Sequence, residues 1–362
     1  MWRSEIQRLQ ALSDPISSAA VPLLNGLARR SMMRSGVEQC EQRIGGANIN
    51  YYYKGPQGRA GAEGAQTTPS ARSAADEVIP ILLIHGLGDN AITWSLTIGP
   101  LARNHDVYAM DLPGYGFSGL PAGRSFATLD QMRDVLVAFL HDTIGRPALV
   151  VGNSLGGWLA VRLAWATPGM VSGVVLLDPG GAPLEGRSSW EPFAEAVSVR
   201  DLKTARLIFR QMFGAIPPPL LYLGQRGLQE LFRRQVVQEF VATVQEDEFL
   251  RPDDLRNLPV PAALVWGVSD TFLPQGSLEF FRDHLPGAPL LLLTRCGHLP
   301  QRERPRAVVR FVHNFANQLV ESGSRVREVG AAEALAANRP PADYARTDWS
   351  QSRNTATTLG SQ

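Results

Sequence analysis

The clearest chemical signal in the sequence is the segment GNSLGG at residues 152–157, which lies between a short apolar run and a helix-like segment. A serine on a tight strand-to-helix turn has a strained backbone, and the residues two positions before and after it must be small. Gly152 and Gly156 meet that need. The turn lifts the Ser154 hydroxyl above the sheet edge and puts the N–H of Leu155 at a helix N-terminus, where positive potential stabilises an oxyanion. The pattern predicts a nucleophilic serine.

A serine hydroxyl is a weak nucleophile, so the next requirement is a histidine that can act as its base. Of the six histidines, His298 follows the strand-like run PLLLLT and lies in a loop at the predicted ligand-binding edge of a sheet. His85 also ends a strand-like run, but its glycine-rich loop is expected to contribute backbone rather than the imidazole. The remaining four lie in or near helical patterns and are interpreted as structural: His105, His141, His284 and His313.

The base in turn needs a carboxylate to hold its tautomer and to stabilise the imidazolium. Asp270 follows the strand-like run 262–267 and precedes His298 by 28 residues (298 − 270), enough for one helix and one strand. A single βαβ crossover would bring both loops to one sheet edge, which favours Asp270. Asp178 ends another strand-like run and stays open as the alternative acid. Asp111 also ends a strand but precedes Ser154, and we expect it to anchor a turn.

A second oxyanion donor is expected in the loop HGLG at residues 85–88. Gly86 and Gly88 allow the backbone to approach a reacting carbonyl closely, which leaves the N–H of Leu87 as the candidate donor. One such donor is typically worth about 10²- to 10³-fold in rate. The sequence has no Gly-x-Gly-x-x-Gly and no Gly-Lys-Ser/Thr motif, so a phosphate-binding loop is disfavoured.

These residues require a sheet whose strands end together. Apolar runs typical of strands buried on both faces alternate with amphipathic helical segments, a pattern that predicts a doubly wound α/β fold with right-handed crossovers. The predicted strands are 49–53, 79–85, 106–110, 148–152, 173–178, 262–267 and 289–294. The predicted helices of the core are 129–143, 155–167, 277–285 and 306–320.

Residues 180–258 contain no convincing strand and predict a helical lid inserted between two strands, with helices at 201–213 and 228–245. Most apolar residues of this lid are expected to pack its helices against the core. The excess would line a substrate pocket, for which we predict Phe209 and Phe213 from the lid, together with Gly86, Gly88 and Leu299.

Taken together, the motifs resemble those of the α/β-hydrolase superfamily, in its order of nucleophile, acid and histidine. The matching segments are HGLG at 85–88, DLPGYGFS at 111–118, GNSLGG at 152–157, GVSD at 267–270 and GH at 297–298. The resemblance covers about residues 40 to 320. It implies a mostly parallel eight-stranded sheet with a lid after the sixth strand, a core at 36–179 and 259–321, and acylation of Ser154 with His298 as general base and then acid.

Outside the core, residues 1–35 predict an N-terminal helical extension, 54–76 a mobile loop and 322–362 a disordered tail. Acidic residues and prolines interrupt the apolar pattern of residues 1–35, which disfavours a secretory signal and leaves weak membrane contact as a candidate role. No uncharged stretch reaches the roughly 18 apolar residues that a spanning helix requires. The oligomeric state stays open.

Charge and cysteine content exclude further classes. The chain has 35 Lys+Arg against 34 Asp+Glu, a net charge of +1, which disfavours nucleic acid as a partner. Cys40 and Cys296 are too few and too isolated for a disulfide framework or a zinc cluster, which fits a reducing compartment and predicts a cytoplasmic protein. No cofactor or metal is predicted.

A small apolar carboxylic ester is the first substrate hypothesis, and the chain is similar to the monoacylglycerol-lipase and esterase branch. The alternative is a carbon–carbon bond hydrolase acting on aromatic ring-fission products. Such enzymes share the Asn-Ser-x-Gly-Gly pattern and carry a lid arginine, for which Arg206 or Arg210 is a candidate. They typically place tryptophan after the histidine, whereas this chain has Leu299. A silent binding protein is disfavoured because the triad is complete.

Overall fold

The computed structural model describes about three-quarters of the chain, and four of the predicted segments fall partly outside it, the helical lid 180–258 among them. The described residues are 22–56, 78–183, 194, 197, 199, 201–215 and 218–327. Residues 1–21 of the predicted extension lie outside this range, as does almost all of the predicted mobile loop 54–76. Of the predicted tail 322–362, only the part up to residue 327 is described.

A single eight-stranded sheet in the order β1-β2-β4-β3-β5-β6-β7-β8 organises the described chain. β1 and β2 pair antiparallel, β2 pairs antiparallel with β4, and all other neighbours pair parallel. The strands are β1 (Glu38–Ile44), β2 (Ala47–Lys54), β3 (Ile81–Ile84), β4 (Val107–Met110), β5 (Ala148–Ser154), β6 (Val171–Pro179), β7 (Ala262–Gly267) and β8 (Leu290–Leu293). The predicted fold class is confirmed.

The central strands are apolar throughout because both faces of the sheet are covered. In β3, Leu82 and Ile84 enter one hydrophobic cluster, and Ile81 and Leu83 enter a second cluster on the opposite face. All four side chains are fully buried. A strand with this environment reads as a continuous apolar run rather than an alternating one, which is why sequence analysis finds it.

The first strand, β1, was not predicted because its environment differs. It is a polar edge strand whose residues are mostly exposed or half-buried. Its pairing with β2 is set by the turn at Gly45 and Gly46, which have φ values of 56° and 83°. Glycine adopts these positive values without the steric cost that a side chain brings. Turn chemistry rather than an apolar pattern therefore defines this strand.

Eleven α-helices complete the described fold. They are α1 (22–34), α2 (Ile98–Leu101), α3 (Leu129–Phe139), α4 (Leu155–Ala166), α5 (Leu202–Met212), α6 (Pro218–Arg233), α7 (Gln235–Thr243), α8 (Pro252–Arg256), α9 (Ser277–His284), α10 (Pro300–Glu303) and α11 (Pro305–Arg327). The last of them continues to Arg327, beyond its predicted end at Val320. Within the described residues, no helix combines the length and apolarity needed to cross a membrane.

Helices α5 to α8 lie between β6 and β7, where a helical segment was predicted, but one helix boundary was wrong. The predicted helix 228–245 is two helices, since Arg234 has an extended ψ of 135° between α6 and α7. The first of the two begins earlier, at Pro218. Proline is tolerated in a first helical turn, where its missing N–H would have no partner, so the prolines start a helix here instead of excluding one.

Candidate active site

The backbone turn at Ser154 joins β5 to α4 and is strained as the sequence predicts. Ser154 has φ 55° and ψ −118°, values that a non-glycine residue rarely adopts. A Cβ at Gly152 would lie 2.1 Å from the carbonyl oxygen of Gly156, and a Cβ at Gly156 would lie 2.3 Å from that of Ile84. Both positions therefore admit glycine alone. The packing of this turn forces the serine side chain toward the carboxyl edge of the sheet.

Asp270 and His298 meet at the same edge, from the loops after β7 and β8. Nδ1 of His298 lies 2.7 Å from Oδ2 of Asp270, and both side chains are buried, with exposed fractions of 2% and 0%. A carboxylate oxygen only accepts hydrogen bonds, so Nδ1 is the donor and Nε2 is left as an acceptor. Oδ1 of Asp270 accepts the N–H groups of Phe272 (2.8 Å) and Leu273 (3.2 Å). These bonds fix the carboxylate plane toward the imidazole.

The loop that carries His298 is held by Asn153, a residue to which sequence analysis assigned no role. Its amide nitrogen donates to the carbonyl oxygens of His298 (2.9 Å) and Leu177 (3.1 Å), and its Oδ1 accepts from Gln301 (3.1 Å). One side chain thus joins the ends of β5 and β6 to the histidine loop. Its position immediately before the serine is the only sequence signal that could have indicated this contact.

The helical insertion is also bonded to the histidine loop. The N–H of His298 donates to the carbonyl oxygen of Met212, at the end of α5, at 2.7 Å. Glu303 accepts the N–H of Gly297 (2.8 Å) and that of Gly214 (2.9 Å), so its two oxygens connect the loop with the residues after α5. Burial raises the pKa of the Glu303 carboxyl. The sequence gives no signal for the bond to Gly214, which lies 89 residues from Glu303 in the chain.

Asp178, the alternative acid, does not contact His298 in a hydrogen bond. It lies at the end of β6 with φ 39°, is fully buried, and accepts the N–H of Gly267 at 2.9 Å. Burial and the negative charge of Asp270 raise its pKa well above the usual value for aspartate. This carboxyl is therefore protonated over a wider pH range than an ordinary aspartate.

One group of described residues has the spacing of metal ligands, namely Asp178, Asp270 and His298. One potential ligand atom of each lies within 4.8 Å of those of the other two. The hydrogen bonds of these side chains already use Oδ1 of Asp178, Oδ2 of Asp270 and Nδ1 of His298. In this arrangement Asp270 orients the imidazole, and Asp178 accepts a backbone N–H of the next strand.

The glycine-rich loop after β3 packs directly on the serine turn. A Cβ at Gly86 would lie 3.1 Å from the Cβ of Ser154, a contact tighter than most side chains allow. His85 supports the loop from below: Nδ1 bonds to the carbonyl oxygen of Gly86 (2.8 Å), and Nε2 accepts the N–H of Leu112 (3.0 Å). The imidazole of His85 is thus structural, and Leu87, two residues further along the loop, lines the same cavities as Ser154.

Asp111 anchors a turn, and that prediction is confirmed. Its carboxylate accepts the N–H groups of Ala91 (2.7 Å) and Phe117 (2.8 Å) and the side-chain amide of Asn50 (2.8 Å). These bonds tie the end of β4 to the loops beside β2 and β3. Asp111 therefore stabilises the scaffold below the candidate site.

A cavity of about 250 Å³ opens above Ser154 and His298. The predicted substrate-binding residues all line it: Gly86, Gly88, Phe209, Phe213 and Leu299. Most other described lining residues are also apolar, and Asn25, Asp89 and Arg302 add polar groups. The two arginines considered for a lid role, Arg206 and Arg210, are exposed and are not among the described lining residues, and Nε of Arg206 bonds to Gln225 at 2.8 Å.

Comparison with known proteins identifies the class to which this fold and site belong. Residues 81–311 match the alpha/beta hydrolase family, so the match covers more than half of the chain and includes the serine turn and both loops of the Asp270–His298 pair. The chain belongs to this family. A superfamily member was expected from the order of the motifs, and that prediction is confirmed.

The individual relatives are named for different activities. The chain is 31% identical over 233 residues to the dihydrolipoyllysine-residue acetyltransferase component of an acetoin cleaving system from Cupriavidus necator, across 62% of this chain and 60% of that protein. It thus spans less than two thirds of that relative. It is 26% identical over 250 residues to a 2-hydroxy-6-oxononadienedioate/2-hydroxy-6-oxononatrienedioate hydrolase from Cupriavidus pinatubonensis, across 65% of this chain and 86% of that enzyme.

Among solved structures, a bacterial membrane phospholipase A superposes with a TM-score of 0.65 at 23% identity, covering 88% of this chain and 99% of that one. At this level of identity the similarity shows the fold alone. Family membership supports a hydrolase, and the choice of bond and substrate depends on the site itself.

Proposed function

We propose that this protein is a serine hydrolase that cleaves carboxylic esters, with Ser154 as nucleophile, His298 as general base and acid, and Asp270 as the group that orients His298. The observation that carries the proposal is the 2.7 Å bond between Asp270 and His298 beside a serine in a strained turn, all at one cavity. Such a turn costs stability and is retained where it positions a reactive group.

The chemistry follows from these positions. As Oγ of Ser154 attacks the carbonyl carbon, Nε2 of His298 takes the hydroxyl proton, and the negative charge moves to the carbonyl oxygen. The N–H groups of Leu87 and Leu155 stabilise that oxyanion, the latter with the positive end of α4. His298 then gives the proton to the leaving alcohol oxygen as the C–O bond breaks. Water hydrolyses the acyl-enzyme by the same steps in reverse.

An ester substrate is supported by the character of the cavity. Its described lining is predominantly apolar, with aromatic side chains from the insertion and from the loop after β7. An apolar ester gains free energy by leaving water for such a cavity, at about 25 cal/mol for each Å² buried. A relative by fold, the membrane phospholipase A, is named for an ester hydrolysis, which agrees with this choice.

Carbon–carbon bond hydrolysis is the second candidate, favoured by one observation. Arg302 lines the cavity with His298, and a guanidinium there could pair with the carboxylate of a ring-fission product. The Cupriavidus pinatubonensis relative is named for such a substrate. Against this candidate, Arg206 and Arg210 are exposed, and the side chain of Leu299 provides no hydrogen-bond donor after His298.

The helical insertion and the N-terminal helix are proposed to have supporting roles. We propose that residues 180–258 act as a lid, since Phe209, Phe213 and Leu228 of this segment line the cavity. We propose that the enzyme is cytoplasmic, which agrees with the free thiols of Cys40 and Cys296. We also propose weak peripheral membrane contact through residues 1–35, because α1 exposes Leu23 and Leu24, and Leu24 borders the cavity. The similarity to monoacylglycerol lipases stays a prediction.

Kinetics on a panel of substrates test the proposed bond. The panel contains p-nitrophenyl esters of increasing acyl length and one ring-fission dienoate, assayed with the wild type and Ser154→Ala. We expect ester hydrolysis that falls by at least about 10³-fold in Ser154→Ala. The exposed Ser35→Ala serves as the matched control and should leave turnover unchanged. Turnover of the dienoate without ester turnover would select the second candidate.

A further inference from the structure

Two cavities meet at Ser154, and they differ in size. The large chamber is the cavity of about 250 Å³ described above, and a second, small chamber has about 50 Å³. Both are lined by Leu87 and Ser154, so the reacting carbonyl lies at their junction. A substrate bound there has one part in each chamber.

His298 decides which part of the substrate enters which chamber. During acylation the leaving oxygen must receive its proton from His298, so the leaving group lies on the histidine side of the tetrahedral carbon. His298 and Leu299 line the large chamber, and neither lines the small one among the described residues. With Oγ of Ser154 and the oxyanion occupying two further positions, the acyl substituent is left to enter the small chamber.

The size of the small chamber limits the acyl group. A buried apolar cavity of about 150 Å³ holds the six carbon atoms of a benzene ring, so by proportion 50 Å³ leaves room for roughly two carbon atoms. Its described lining has no charged side chain, and Ser154 and Ser277 are the two described lining residues with a hydroxyl group. A short, uncharged acyl group fits these conditions, whereas a long chain or a second carboxylate does not.

One wall of the small chamber is tightly packed. Trp158 and Phe249 stack with ring centroids 5.1 Å apart, and a Cβ at Gly181 would lie 2.6 Å from the Trp158 ring. Trp158 is itself 3% exposed, on the first turns of α4. Side chains packed at this density do not move apart without cost, so a longer acyl chain is not accommodated between these two rings.

From these observations we infer that the preferred substrates are esters of a short-chain carboxylic acid with a large apolar alcohol. This inference rests on the proposed function and adds the direction in which the ester binds. The large chamber, lined by residues such as Phe209, Phe213 and Phe232, holds the alcohol part. The acyl-enzyme formed on Ser154 then carries the short acid.

Two isomeric esters, octyl acetate and ethyl octanoate, test the direction of binding directly. They have the same formula and similar apolarity and differ only in the side of the carbonyl that carries the long chain. We expect kcat/KM for octyl acetate to exceed that for ethyl octanoate by at least about tenfold, the smallest effect typical of one misplaced methylene in a hydrophobic pocket. Acid release measured by titration at constant pH gives both values.

A pair of leucine variants assigns the effect to the chambers. Leu273 lines the small chamber and Leu231 the large one, and both are half-buried. Leu273→Ala should lower the ratio of kcat/KM for octyl acetate to that for ethyl octanoate by at least about fivefold, because it makes room for a longer acyl chain. Leu231→Ala should not lower that ratio. The wild-type comparison needs no variant and decides the case even where a variant does not fold.

Equal kcat/KM values, or a preference for ethyl octanoate, would overturn the inferred direction while ester hydrolysis itself stands. Hydrolysis of neither isomer would also overturn it. In that case reaction of Ser154 with a fluorophosphonate shows whether the proposed function survives: a labelled Ser154 retains the serine mechanism, and an unlabelled one removes both.

Discussion

The ends of β6 and β7 each carry an aspartate, yet the two side chains have different environments. Asp178 belongs to the last residues of β6, is fully buried, and accepts the N–H of Gly267 from the next strand. Asp270 lies past the end of β7 and accepts the backbone of its own loop with one oxygen while the other contacts His298. The first aspartate joins two strands, and the second orients an imidazole.

The difference shows that reaching the correct sheet edge does not by itself make a carboxylate the partner of the histidine. Asp178 is still inside the strand, so its Oδ1 accepts a backbone N–H of the neighbouring strand. Asp270 follows a turn in which its N–H donates to the carbonyl oxygen of Gly267, and the turn carries the side chain across to the next loop. The number of residues past the strand end therefore separates a structural aspartate from an orienting one.

The largest expected effect comes from replacing each aspartate by asparagine. Asp270→Asn should lower kcat by roughly 10³- to 10⁴-fold, because the amide can donate to Nδ1 and select the wrong imidazole tautomer. Asp178→Asn keeps an oxygen for the N–H of Gly267 and should retain at least about a tenth of the activity. Steady-state kinetics on one ester measure both variants. A greater loss in Asp178→Asn would reverse the roles assigned here.

A smaller effect, on the free energy of unfolding, distinguishes the hydrogen bond of Asp178 from its charge. Asp178→Ala leaves the N–H of Gly267 without an acceptor inside the protein, which costs about 1–3 kcal/mol of unfolding free energy. Asp178→Asn retains the acceptor and is the matched control. Urea denaturation should show the alanine variant less stable than the asparagine variant by that amount. Equal stability would mean that the bond between Asp178 and Gly267 contributes nothing.

The smallest expected effect is a pH dependence. The pKa of Asp178 is raised in the folded state by burial and by Asp270, above the value of about 3.9 usual for an unfolded chain. Between these two pKa values the folded chain binds more protons, so the stability associated with this group is greatest below about pH 4 and falls as pH rises through the folded-state pKa. Asp178→Asn does not titrate.

The melting temperature of Asp178→Asn minus that of the wild type should therefore increase with pH, for example from about pH 5 to pH 8. Asp270, His298, Glu303 and Cys296, the titratable groups around Asp178, are present in both proteins, and their own contributions largely cancel in this difference. Calorimetry at several pH values provides the data. A difference that stays constant or decreases would contradict a raised pKa at Asp178.

Much of the site could be predicted because its signals are local. The serine turn needs glycine two residues away on each side, and Gly152 and Gly156 stand in the sequence at those positions. Asp270 and His298 each follow an apolar strand by a few residues, so chain order suggested the pair that the structure shows in contact. Steric requirements of a turn and the burial of a strand both determine residue types at nearby positions, so a single sequence shows them.

Other features depend on contacts between distant segments and left no such mark. Asn153 binds a carbonyl oxygen 145 residues away, and Glu303 accepts a backbone N–H 89 residues away. Strand β1 is polar because one side of it is an edge, and the break at Arg234 divides a helical pattern that has no proline there. Only the folded chain shows these partners.

The central claim, that Ser154 is the nucleophile, is tested most directly by reaction with a fluorophosphonate followed by mass spectrometry of the peptides. We expect one adduct for each chain, located on Ser154, absent from Ser154→Ala and formed more slowly when an apolar ester competes for the same site. An unmodified Ser154, or an adduct that persists unchanged in Ser154→Ala, would contradict it.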